Sequence, residues 1–179
     1  WYINWEMDNA SGYNFLPNQN QNMVTALQEV SGHLKTLSPD LPASLAPFFN
    51  STLGAGPRRW QYFWYDLLRQ TSVDIVMLQD GVGVAHAEVK QLPEWFQAVC
   101  DGVHAAGKQC WSDLENFTQV GEGFIPGPPD RVAAQHQAVA PLVDRIVTFS
   151  FITYMSPVYG VDPQYLEAYQ AYRQQIPGQ

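Results

Sequence analysis

Five times in succession the chain sets a short apolar run before a longer stretch whose apolar residues recur at helical spacing, and this alternation leaves few architectures open. WYINWEM at 1–7 precedes MVTALQEVSGHLKTL at 23–37, where Val24, Leu27, Val30, Leu34 and Leu37 fall on one helical face. LPASLAPFFN at 41–50 leads to RRWQYFWYDLLRQT at 58–71, introduced by Gly54, Gly56 and Pro57. VDIVMLQD at 73–80 leads to PEWFQAVCDGVHAAG at 93–107, with Pro93 suited to a first helical turn and Gly107 to a stop. QCWSDLENF at 109–117 is followed, after a Gly/Pro-rich loop, by PDRVAAQHQAVAPLV at 129–143. RIVTFSFITYM at 145–155 is followed by DPQYLEAYQAYRQQI at 162–176, where Asp162 caps and Pro163 opens the helix.

Repeated βα units imply a parallel sheet with crossover helices, and nearly continuous apolar strands such as VDIVML imply burial on both faces. A doubly wound nucleotide fold would carry a glycine-rich phosphate turn. QDGVGV at 79–84 supplies only Gly81 and Gly83, with His86 where a third glycine would fall. A (β/α) barrel instead gathers polar residues at the C-terminal ends of its strands. Here those ends hold Glu6 and Asp8, Asn50, Gln79 and Asp80, Glu115 and Asn116, and Tyr154 and Ser156. The expected fold is therefore α/β of the TIM-barrel type, a single domain over 1–179. It is a partial barrel of about five units, since closure takes eight units and about 250 residues.

Composition narrows the partners. Seventeen acidic and nine basic residues give a net charge of −8, with no basic run to neutralise a phosphate backbone or an anionic membrane surface. A hydrophobic share of 46% is too high for charge-driven disorder. The longest apolar run, IVTFSFI at 146–152, falls far short of the ~18 residues of a membrane span. The opening at Trp1, without Met or a signal segment, reads as a processed or truncated start. Cys100 and Cys110 match no zinc spacing; they form either one disulfide or, the preferred expectation, two buried thiols. His33, His86, His104 and His136 show no metal-ligand spacing, and neither Ser112 nor Ser150 lies in a nucleophile elbow, so a site without metal, nucleotide or other cofactor is expected.

WYINWEMDN, LAPFFN, VDIVMLQDGVGV, WSDLENF and FITYMSP, in this order and spacing, resemble a bacterial family of barrel domains of unknown function that groups near glycoside hydrolases. The resemblance covers nearly the whole chain and implies that its five strands match the fourth to the eighth of a barrel. The missing part would be an N-terminal barrel half, or a second copy of the chain pairing with its exposed edges. On that register Glu6 ends the fourth strand and Glu115 the seventh, which is similar to the large retaining-glycosidase clan that places its acid/base and nucleophile there. In that clan an Asn directly precedes the fourth-strand Glu, whereas here Trp5 does, with Asn4 one place earlier.

Glycosidic hydrolysis needs one protonated acid at the leaving oxygen and one carboxylate at the oxocarbenium-like centre. An aromatic, partly dry pocket beside a second carboxylate keeps one group protonated near neutrality. Glu6 and Glu115 form the first candidate pair, with Asp80 as a further partner on the strand beside Glu115. An alternative uses Asp113 and Glu115 as an i, i+2 pair, similar to chitinase-type barrels in which the substrate's acetamido group attacks and Tyr154 orients it. If the glutamates point inward, Asn4 and Asp113 share their face one layer deeper. Asn4, Asp8, Gln79, Asp113, Asn116 and Tyr154 are the expected polar substrate contacts, with Trp5 and Trp111 as stacking faces.

Each carboxylate taken singly has a plainer role, capping a helix or pairing with Arg58, Arg59 or Arg131. Trp60, Trp64, Trp95 and Phe96 lie at helical spacing and are expected to pack. The loop at 120–130 follows the Glu115 strand and should wall the site. The sequence thus points to a secreted or periplasmic, retaining glycoside hydrolase acting on a poly- or oligosaccharide. The competing expectation is a non-catalytic carbohydrate-binding or assembly module on a degenerate barrel.

Overall fold

The computed structural model describes residues 1–4, 17–48 and 56–176. Five strands, β1 (Tyr2–Asn4), β2 (Ser44–Leu45), β3 (Ile75–Gln79), β4 (Gln109–Glu115) and β7 (Arg145–Phe149), form one sheet in the order β1-β2-β3-β4-β7. Every pairing in it is parallel. Between the strands run α1 (Pro17–Leu37), α2 (Pro57–Leu68), α3 (Leu92–Ala105) and α4 (Pro129–Val139), and α6 (Pro163–Gln174) follows β7. The strands stand in the sheet in the order in which the chain reaches them, as four βα crossovers taken in one direction require.

Local chemistry sets the boundaries. Proline opens α2, α4 and α6, where the missing N–H has no intrahelical partner to lose. Asp162 caps α6 by accepting from the Gln164 amide at 3.0 Å. Gly107 closes the turn after α3 at φ +74°, a conformation costly to a residue with a Cβ.

The core lies between one face of the sheet and the helices. Val76 and Leu78 of β3 and Cys110 and Leu114 of β4 are fully buried there, as are Trp64, Leu67 and Leu68 of α2 and Phe96, Val99 and Val103 of α3. Each such side chain contributes about 1.5–3 kcal/mol on leaving water. Trp60 and Trp95 meet edge to face across α2 and α3, 6.5 Å between ring centroids, so the helical aromatics pack as their spacing predicts.

Three expectations need correction. Cys100 and Cys110 are not free thiols but a disulfide, with Cα atoms 5.3 Å apart. The turn at Gly107 folds the last turns of α3 back along β4, and strand alternation points Cys110 at that helix. The segment after Glu115 is no irregular loop: β5 (Phe117–Val120) and β6 (Gly123–Pro126) pair antiparallel around Gly121, whose φ is +60°. The fifth strand ends at Phe149 rather than running on to Met155. Ser150 starts the short helix α5 (Phe151–Tyr154), its Oγ accepting from the Thr153 amide at 3.3 Å.

Candidate functional site

Strand alternation sorts the side chains at the C-terminal end of the sheet. In β4, Ser112 and Leu114 face the helices, so Asp113 and Glu115 face the opposite side. Gln79 pairs with Asp113 in register, and Phe149 pairs with Glu115. These four line a cavity of about 560 Å³ together with Tyr2, Phe48, Val84, His86, Phe117, Phe124 and Tyr154. Tyr2 belongs to one edge strand and Phe149 to the other, so the sheet curls around this cavity.

Glu115 is held from the loop that follows β3. Its Oε2 accepts the Gly83 amide at 2.6 Å, while the Gly83 carbonyl accepts the Gln119 amide of the hairpin at 2.8 Å. One glycine thus joins the carboxyl to the β5–β6 hairpin. Phe117, at the base of that hairpin, packs against Phe124 and Tyr154 at 5.2 Å and Phe149 at 6.1 Å between ring centroids. The wall beside Glu115 is therefore aromatic.

Asp80 lies on the other side of the strand. It is fully buried, and it is absent from the cavity lining because Gln79, its neighbour in sequence, takes the inward position. Its Oδ1 accepts from the Val82 amide at 3.0 Å. Its Oδ2 accepts from Gln135 Nε2 at 2.7 Å and from the Glu115 amide at 3.3 Å.

Burial, reinforced by the charge of Asp80, pushes the Glu115 carboxyl up to about 8 despite its loop amides. Burial raises Asp113 to about 6, again with a contribution from Asp80. Burial raises Asp80 itself to about 6, opposed by its hydrogen-bond donors. Arg131, half-buried on α4, donates to the Phe117 carbonyl and feels both Asp80 and Glu115, though burial holds its pKa below the usual value. Near neutral pH this order leaves Glu115 protonated and Asp113 ionised on one wall.

Of the expected residues, the fold gathers Gln79, Asp113, Glu115 and Tyr154 around the cavity. Asn116 is buried behind it, its Nδ2 donating to the Ser150 carbonyl at 3.3 Å, and it lines a separate narrow crevice with Tyr165, Tyr169 and Tyr172. Trp111 shares the face of Glu115 but precedes it by four positions, about 13 Å along a strand. It packs under the Arg145 guanidinium, 5.0 Å from the ring centre, and lines a cleft with Lys35 and Asp74 at the far end of the sheet. Neither residue reaches the cavity. Trp5, Glu6 and Asp8 lie outside the described residues, as does the side chain of Asn4.

The sequence reading passed over Tyr2, Phe48, Val84, His86, Phe117, Phe124 and Phe149. Alternation from Glu115 would have reached Phe149 through its register partner, but the others depend on the hairpin and on the loop after β3. Among the described residues no group of three or more His, Cys, Asp or Glu is placed to hold a metal ion. No described helix is long and apolar enough to cross a membrane.

Residues 1–160 match a family model described as "Domain of unknown function (DUF4434)". A comparison with curated proteins returns no match. Among solved structures, the chain superposes on the crystal structure of "a putative alpha-L-fucosidase from Bacteroides thetaiotaomicron VPI-5482" with a TM-score of 0.76 at 21% sequence identity. The alignment covers 97% of this chain and 53% of that one, so the chain spans about half the length of that structure. At this identity the likeness shows a shared fold.

Proposed function

The chain belongs to the DUF4434 family, and from its cavity we propose that it is the acid-bearing part of a glycoside hydrolase acting on a poly- or oligosaccharide. The observation that carries the reading is Glu115, a buried carboxyl that keeps its proton to about pH 8 on the wall of an aromatic cavity large enough for a sugar ring. Since Oε2 accepts an amide hydrogen, the proton belongs on Oε1, from which it passes to the glycosidic oxygen as the bond to the leaving group breaks. Phe117, Phe124 and Phe149 offer apolar faces to the sugar, and burial keeps the Tyr154 phenol protonated as a donor.

In the two-carboxylate mechanism Glu6 supplies the nucleophile and the anomeric configuration is retained. A second reading gives the anionic role to Asp113, which is favoured because it shares the cavity wall with Glu115 and ionises about two pH units below it. There it would support Glu115 as the acid while a substrate acetamido group, oriented by Tyr154, attacks in place of an enzyme nucleophile. The sequential strand order, and the reach of both edge strands to one cavity, support a portion of a TIM barrel whose remainder, or a second copy, pairs with β1 and β7. The Cys100–Cys110 disulfide supports a secreted or periplasmic location.

The test is hydrolysis of a panel of bacterial and plant polysaccharides by the protein and its Glu115→Gln, Glu6→Gln and Asp113→Asn variants. Glu115→Gln is expected to lower turnover by roughly 10²–10⁴-fold while leaving saccharide binding in place. Loss in Glu6→Gln with a retained product anomer supports the two-carboxylate route. Loss in Asp113→Asn confined to N-acetylated substrates supports the second. Binding without turnover in every protein would sink both and leave a carbohydrate-binding module.

A further inference from the structure

Among the described residues Asp80 is the one carboxylate near Glu115 that cannot touch a ligand in the cavity, yet it is linked to Glu115 through the backbone and through Gln135. Its Oδ2 receives the Glu115 amide, and Gln135 Nε2 donates both to that oxygen, at 2.7 Å, and to the Glu115 carbonyl, at 3.1 Å. All three donors to Asp80 (Val82 N, Glu115 N and Gln135 Nε2) are neutral N–H groups. They favour the carboxylate form but do not cancel its charge. We propose that Asp80 is a positioning residue that acts through Glu115, a buried fixed negative charge that keeps the neighbouring carboxyl in its proton-donating form. This rests on the glycosidase reading for its meaning in catalysis, though not for its electrostatics.

Among the described residues, the other charged or titratable groups around Glu115 do not take that role. Asp113 lies on the same strand but lines the solvent-accessible cavity, where its charge is better screened, and it is the weaker of the two influences on Glu115. Arg131 on α4 acts in the opposite sense and makes no ion pair with either carboxylate among the described residues. His86, on the loop after β3, and Tyr154, on α5, line the cavity; neither adds negative charge near neutral pH. Asp80 is the buried anion, and its burial is what lets its field reach Glu115 with little screening.

The isosteric Asp80→Asn variant tests this. Gln135 Oε1 is buried without a hydrogen-bond partner, so its amide can turn to accept from the new Asn side chain. Titration of the Glu115 carboxyl by carbon NMR, with Glu115→Gln identifying the signal, is expected to show its midpoint falling by about one pH unit or more in Asp80→Asn. Asp113→Asn should move it less. If the protein turns over a saccharide, the alkaline limb of its kcat profile should fall by the same amount as the midpoint. A folded Asp80→Asn protein with an unmoved midpoint, or a larger shift in Asp113→Asn, overturns the proposal. Should Asp80→Asn not fold, the Glu115→Gln protein decides: with a neutral neighbour Asp80 must titrate well below the Glu115 midpoint of the unmodified protein, and a midpoint at or above it leaves no anion to act on Glu115 and overturns the proposal. Because the NMR titration needs no substrate, absence of turnover would sink the glycosidase reading without touching this result.

Discussion

Gly83 occupies a place that no other residue fits. A Cβ there would lie 2.6 Å from the Phe117 carbonyl and 2.8 Å from Glu115 Oε2, against backbone on one side and the candidate acid on the other. Gly83→Ala is therefore expected to destabilise the fold by about 1–3 kcal/mol in denaturant unfolding. It should also displace the amide that holds Glu115 and reduce turnover. At this scale the sequence was partly legible. Two-residue alternation placed Asp113 with Glu115, because parity survives any error in strand ends. It could not say which of Gln79 and Asp80 faces inward, since both stood at the same strand end and only the register with β4 decides. Trp111 had the right parity and the wrong depth, which alternation alone does not report.

At the scale of elements, the Cys100–Cys110 bridge closes a short loop between α3 and β4, the strand that ends in Glu115. Replacing both cysteines by serine should cost about 2–3 kcal/mol, read from the urea midpoint under oxidising conditions. Reductant should have that effect on the unmodified protein and none on the double variant. The helices were legible because their prolines, caps and apolar spacing agree with one another. The β5–β6 hairpin was not, because Gly and Pro mark a turn equally well whether or not its flanks pair. Its pairing depends on Phe117 finding the aromatic cluster, a contact between segments distant in sequence.

For the whole molecule the buried acids set a dependence of stability on pH. Glu115, Asp113 and Asp80 are raised in the fold, so their contribution is full below their ordinary values of 4.5 for Glu115 and 3.8 for the two aspartates and is lost as pH climbs through about 6 and then about 8. Asp74, beside Lys35, and Asp144, beside His104, are lowered and lose theirs as pH falls below 3.8. The melting temperature should peak near pH 4 and drop by roughly 5 °C or more by pH 8.5. Glu115→Gln should flatten the part of that slope above pH 6; a parallel slope in the variant would count against a buried, protonated Glu115. The order of the strands was legible in the sequence from the repetition of βα units. The curl of the sheet was not, because it is a property of how strands twist against one another and leaves no mark on any single one.

The pleat of β3 decides which of two adjacent polar groups meets the cavity and which stays behind it. A strand has only two sides, so gaining or losing one residue between the fixed ends of β3 would exchange Gln79 and Asp80 in a single step. The anion would pass into the open cavity, an amide would take its place at the back of Glu115, and the candidate acid would give up its proton at a lower pH. For descendants of this gene, the difference between a proton donor and an ionised carboxylate is three nucleotides in β3.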